Sequence, residues 1–194
     1  MQIGLQLLCQ SWGYENITDH QVYEEEMKLA VRADELGYDL IGIVEHHFED
    51  YSFCPDNLVY LANLAARTKR AKLMTGAVIV PWNDPLRVAE KAALLDEMSG
   101  NRLILGLGRG LSRREYNQFG ISMDESRERF DEATPMILNA LETGVMEEHH
   151  GKYFNQPRAA IRPKPTRTFA DRLTQVAMSG DSVIEAASIK AKMM

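Results

Sequence analysis

The string Glu45-His46-His47-Phe48 sets one carboxylate and two imidazoles in succession. Imidazole titrates near neutral pH, so such a group can give and take protons. One metal ion shared by both rings is disfavoured, because neighbours on an extended strand point to opposite faces. No third ligand follows at helical or turn spacing. The same residues would also make an ordinary polar start to a loop. A second string, Gly106-Leu107-Gly108-Arg109-Gly110, combines small residues with one cation. Glycines let the backbone pass close to a flat or phosphorylated ligand. Arginine offers charge-assisted, bidentate contacts to anions. A dinucleotide fingerprint would need its third glycine one residue later and a helix at once. A tight turn with a solvated arginine is the plainer reading. Arg127 is a further candidate anion contact. Ala177-Met178-Ser179-Gly180-Asp181-Ser182 enters a helix whose free N–H groups suit a phosphate, although Ser and Asp are also common N-caps. His149 and His150 read as surface residues and the methionines as core filler.

The elements that must position these residues alternate in type. Gln2 to Leu8 reads as a strand, with Ile3, Leu5 and Leu7 alternating against polar or small neighbours. A helix follows from a capping box formed by Thr18 and Gln21, and Gly37 ends it. Leu40 to Val44 is a second strand, and Asp56 caps a helix reaching Thr68. Lys72 to Val80 is a third strand. Pro85 opens a helix that stops at Gly100. Leu103 to Leu107 is a fourth strand, from which a glycine turn and a long loop lead to a helix over Ser126 to Leu141. The stretch from Val145 to Arg162 reads as irregular, with a short hairpin around Gly151. Leu173 to Met178 is a fifth strand and Asp181 to Lys192 a fifth helix. Strict βα alternation predicts a parallel sheet with helical crossovers. An eight-stranded barrel and an open doubly wound sheet both satisfy it, and both place functional loops at the carboxyl ends of the strands.

Composition excludes several classes. The 194 residues, 45% hydrophobic and 26% charged, suit a globular domain that buries roughly 70% of its unfolded surface. A net charge of −6 argues against a nucleic-acid partner, which is met by a basic face. No apolar run approaches the roughly 20 residues of a membrane span, and the amino terminus does not read as a signal peptide. Two cysteines, Cys9 and Cys54, do not make a disulfide framework. A cytoplasmic, reduced protein is expected.

Several strings occur together in a telling order. Glu45-His46-His47-Phe48, Leu64-Ala65-Ala66-Arg67-Thr68, Asp84-Pro85-Leu86-Arg87-Val88-Ala89-Glu90 and Leu94-Leu95-Asp96-Glu97-Met98-Ser99 come first. Gly106 to Gly110, Phe119-Gly120 and Ser126-Arg127 follow. Over residues 1 to about 185 this set resembles the luciferase-like flavin monooxygenases, the alpha-subunit type of bacterial luciferase in particular. The resemblance implies a TIM (β/α)8-type barrel that binds reduced FMN at the strand ends. There the cofactor would activate O2 for attack on a small organic substrate such as a long-chain aldehyde. It implies a flavin reductase that supplies the cofactor, and a homo- or heterodimer. His46 matches the family's catalytic histidine, with His47 and Glu45 beside it. Gly76 and Ala77 match a non-prolyl cis peptide beneath the flavin ring. Gly108, Arg109, Leu111, Arg127, Met178, Ser179 and Ser182 match positions around the cofactor, with Arg109, Arg127, Ser179 and Ser182 near its phosphate. Luciferase has a cysteine at the position of Gly108 and a glutamate at that of Met178. These two departures bear on light emission more than on flavin binding.

Only about five βα units are counted, against eight in a closed barrel of about 250 residues. The chain is therefore expected to be the amino-terminal part of a single barrel domain, truncated, with two open strand edges and an apolar inner face. A non-catalytic flavin-binding relative of the same fold is the alternative to an enzyme, and an interaction module that pairs with another chain is a third reading.

Overall fold

A computed structural model describes residues 1–194. The chain runs β1 (Gly4–Leu7), α1 (Asp19–Leu36), β2 (Leu40–Ile43), α2 (Asn57–Arg67), β3 (Lys72–Thr75), β4 (Val78–Ile79) and α3 (Pro85–Met98). It continues with β5 (Leu103–Gly108), α4 (Arg113–Gln118), α5 (Ser126–Thr143), β6 (Val145–Met146), β7 (His149–His150), β8 (Asn155–Gln156) and β9 (Ala159–Ala160). It ends with β10 (Leu173–Gln175), α6 (Gly180–Ser188) and β11 (Lys192–Met193). Short 3-10 turns cover Val80–Trp82 and Met123–Glu125.

One parallel sheet runs in the order β1-β2-β3-β5-β10-β11, with β4 also on β5. The expected alternation and the barrel-type curl are therefore present as a half-barrel. Leu5, Ile41, Leu73, Leu103, Leu105, Leu107 and Leu173 point outward and pack under the helices. Thr18 and Gln21 form the predicted capping box, and Asp84 caps α3 ahead of Pro85. The hairpin around Gly151 forms as β7 against β8.

Four expectations are corrected. The third strand does not run unbroken to Val80: it stops at Thr75 and resumes at Val78 across a cis Gly76–Ala77 peptide, the bond that the resemblance implies. The long loop after β5 contains α4. The last helix ends at Ser188 rather than Lys192, and Lys192–Met193 pairs parallel to β10 as a sixth strand. The inner face is not uniformly apolar. Gly42 faces Gln6 and Met74, and Gly106 faces Thr174 and Met194, so glycines and polar groups line much of it. At Gly106 a Cβ would lie 1.9 Å from the Thr75 carbonyl oxygen. Only glycine lets these two strands approach so closely. The Thr75 hydroxyl accepts from Gly106 N at 2.7 Å and donates to Gly106 O at 2.9 Å.

A clamp of charges closes the opposite end of the sheet. Arg172 Nη1 lies 2.6 Å from Asp96 Oδ1, both side chains 4% exposed. Arg172 also donates to the carbonyls of Leu103 and Thr168, and Asp96 accepts from Leu103 N. Arg102 donates to carbonyls of Ala65, Thr68 and Ala71, capping the end of α2.

Candidate functional site

The strand ends gather the chemistry-bearing residues. Just beyond β2 the backbone turns Glu45 inward, where it is buried. Its Oε2 accepts from Ile79 N at 3.1 Å, and its Oε1 accepts from Trp82 Nε1 at 2.8 Å and Asn83 Nδ2 at 3.2 Å. His47 Nε2 lies 3.4 Å from the same oxygen. Glu45 therefore ties β2 to the segment after β4. The His47 ring is enclosed edge-on by Trp82 and Phe119, at centroid distances of 5.9 and 4.9 Å. His46 remains the more open of the pair, 26% exposed at its side chain against 10% for His47. Its ring meets the edge of Tyr51.

A carboxylate that sequence reasoning passed over completes the arrangement. Glu115, on α4, is buried, and its Oε1 lies 3.1 Å from His46 Nδ1 and accepts from His47 N at 2.8 Å. Its Oε2 is buried without a partner. Ser112 caps α4 by accepting from Glu115 N. Ser112-Arg113-Arg114-Glu115 is an S-x-x-E helix-start signature, the one local signal that could have exposed this residue. Beside it, buried Tyr116 donates its hydroxyl to the Arg109 carbonyl, fixing the glycine turn to α4. Burial pushes the Tyr116 phenol up to about 12. At Gly110, φ is +75° and a Cβ would lie 2.8 Å from the Trp82 ring. A side chain there would be strained and would collide with the ring that covers His47.

The remaining candidates divide. Gly76 and Ala77 adjoin the turn: a Cβ on Gly108 would stand 3.3 Å from Ala77 Cβ. Arg109 is half-buried, and no carboxylate pairs with it. Arg127 is otherwise engaged. It pairs with Glu185 of α6, and Asp131 lies 3.8 Å away. Burial, and then the neighbouring Asp131, raise the Glu185 carboxyl to about 7. Gln175 Nε2 also donates to it. Ser179 and Ser182 cap α6 reciprocally, with open space over Gly180. Leu111 and Met178 are exposed, the latter at 83%. His149 bonds Glu132 and His150 bonds Glu148, both in the hairpin region.

A cavity of about 900 Å³ lies elsewhere, between α1 and α2 on the helical side. A smaller one, about 570 Å³, is lined by Trp12, Phe48, Glu49, Asp50, Tyr51 and Arg114. Glu45, His46, His47 and Glu115 do not line the larger cavity. No helix is long and apolar enough to cross a membrane.

A curled parallel α/β sheet that gathers its titratable residues at the carboxyl ends of the strands is the arrangement of a (β/α) barrel. The family model described as luciferase-like monooxygenase matches residues 1–194, and the chain belongs to that family. The alkanal monooxygenase alpha chain of Photobacterium leiognathi is 32% identical over 157 residues, 81% of this chain and 44% of that one. The oxygenase component of the flavin-dependent trigonelline monooxygenase of Acinetobacter baylyi is 33% identical over 150 residues, 76% of this chain and 41% of that one. The chain thus spans under half the length of these curated relatives. The crystal structure of monooxygenase RslO1 from Streptomyces bottropensis superposes with a TM-score of 0.90 at 35% identity, over 100% of this chain and 59% of that one. Two further structures share the fold. They are the oxygenating constituent of 3,6-diketocamphane monooxygenase of Pseudomonas putida in complex with FMN (TM-score 0.84, 20% identity, 100% of this chain and 56% of that one) and an F420-dependent secondary alcohol dehydrogenase (0.83, 19%, 100% and 57%).

Proposed function

We propose that this chain supplies the proton-transfer side and part of the phosphate side of a monooxygenase that uses reduced FMN and O2. The observation that carries the reading is the half-open His46 imidazole, held by a buried carboxylate beside a glycine turn whose arginine pairs with no acid. The residues fit the cofactor. Arg109 has a free charge for a phosphate, α6 offers N–H groups beneath Ser179, and Gly76, Ala77 and Gly108 keep the backbone low where a flat ring would lie. Reduced FMN, when bound, supplies the electrons that activate O2. His46 holds or moves a proton at its Nε2 beside the reacting centre. His47 and Glu45 set the pocket wall, and Phe48, Trp82 and Phe119 exclude water from it. Arg109 would hold the phosphate, and Arg127 could reach it only by giving up its pairing with Glu185. Leu111 and Met178, both exposed, would flank the cofactor.

The substrate is a small organic molecule such as a long-chain aldehyde. Relatives named for alkanals and for trigonelline support oxygenation of small organic molecules as the shared theme. A separate flavin reductase delivers the cofactor, and the protein works in the cytoplasm as a homo- or heterodimer. Calorimetry tests the cofactor assignment: reduced FMN should bind more tightly than NADH, and the reverse order would overturn it.

A further inference from the structure

We propose that Glu115 is the positioning residue of the histidine pair, fixing His46 as the Nδ1–H tautomer and leaving Nε2 as its only proton acceptor. The inference deepens the reading of His46 as a proton-transfer group and rests on it.

One oxygen of Glu115 takes both bonds, from the His46 ring and from the His47 backbone, at 3.1 and 2.8 Å. An ionised carboxylate only accepts, so the ring nitrogen facing it must carry the hydrogen. The two bonds therefore set both the tautomer of His46 and the path of the backbone that presents it. Glu115 is itself held. It is 3% exposed, Ser112 caps its helix, and Tyr116 beside it fastens that helix to the Arg109 carbonyl. The Gly-Arg turn and the histidine pair are thereby coupled through one six-residue helix.

Glu45 is the internal comparison. It is equally buried, yet both its oxygens are occupied by Ile79, Trp82 and Asn83. Glu115 leaves Oε2 buried and unpartnered. A buried acceptor without a donor is costly. A purely structural carboxylate would have both oxygens satisfied, as Glu45 has. The nearest charged neighbour on the same helix, Arg114, is turned away to Glu49 at 3.1 Å.

Ring-¹⁵N NMR of the histidines reads the tautomer without any turnover. The protein should show His46 protonated at Nδ1, and Glu115→Ala should move the proton towards Nε2. With reduced FMN and a long-chain aldehyde, Glu115→Ala should lower kcat about 10- to 100-fold, with KM and flavin affinity little changed, as for loss of a group that orients an acid–base residue. Glu115→Gln keeps an oxygen acceptor and should preserve the tautomer, with kcat between the two. It carries the test if the alanine variant does not fold. An unchanged His46 tautomer in folded Glu115→Ala would overturn the proposal. So would full turnover in Glu115→Gln and Glu115→Ala while His46→Ala is inactive. A fully active His46→Ala would instead overturn the catalytic reading of His46 and leave the tautomer result standing.

Discussion

At the scale of single residues the account rests on His46 and Arg109. In the context of a complete barrel, His46→Ala should lower monooxygenase turnover by about 10² or more, the usual loss for a positioned proton-transfer group. Reduced-flavin binding should hardly change. Stopped-flow turnover with a parallel binding titration checks both, and unchanged turnover would leave His46 a wall residue. Arg109→Ala should weaken FMN by roughly 1.5–3 kcal/mol, the worth of a charge-assisted bond, and riboflavin far less. Equal losses would show that the arginine does not meet the phosphate. His46 and Arg109 were legible in the sequence because each ends a strand in a recognisable string. Glu115 was not, because it reaches the pair across 69 residues and its partners exist only once α4 folds back. The commitment of Arg127 was equally hidden: Glu185 lies 58 residues away on a different helix.

Elements carry the next predictions. The Asp96–Arg172 pair joins α3 to the start of β10 at the end of the sheet remote from the histidines. Removing one partner strands a buried charge, so Arg172→Met should destabilise the fold by about 3–5 kcal/mol in denaturant unfolding. The packing of α6 on α5 should be pH-sensitive. The Glu185 carboxyl rises from 4.5 to about 7 on folding. The native state therefore holds its proton more tightly than the unfolded chain does. That stabilisation is complete below pH 4.5 and is lost as pH rises through 7. Glu185→Gln should accordingly gain in Tm relative to the parent between about pH 5 and pH 8, and a difference that shrinks with pH would contradict the sign. Long periodic segments such as α1, with its capping box, and α3, with Pro85 at its start, were legible in sequence. α4 was not, since six residues show too little periodicity. Lys192, the first residue of β11, was read into the preceding helix because Val183, Ile184, Ala187 and Ala191 recur at helical spacing up to it. The chain leaves that pattern at Lys190, where φ is +56°.

Within these 194 residues the sheet has two edges without a partner strand. β1 and β11 each pair on one side only. Unpaired edges recruit other strands, and a closed barrel abolishes them. A polypeptide of these 194 residues should therefore associate at micromolar concentration and hold flavin weakly. Sedimentation should show dimers or larger species, whereas a stable, cooperatively unfolding monomer would contradict the prediction. The edges, rather than an apolar inner face, drive this expectation, since Gln6 and Thr174 interrupt that face. The barrel class was legible from βα alternation together with the ordered strings. The character of the inner face was not, because alternation alone does not say which residues a curled sheet turns inward.

Isotope tracing tests the central claim most directly. The protein with its barrel complete, given reduced FMN, its organic substrate and ¹⁸O2, should place one labelled oxygen atom in the product, and the label should vanish without reduced FMN. Turnover of the substrate with no label from O2, as hydride transfer would give, would contradict a monooxygenase built on His46.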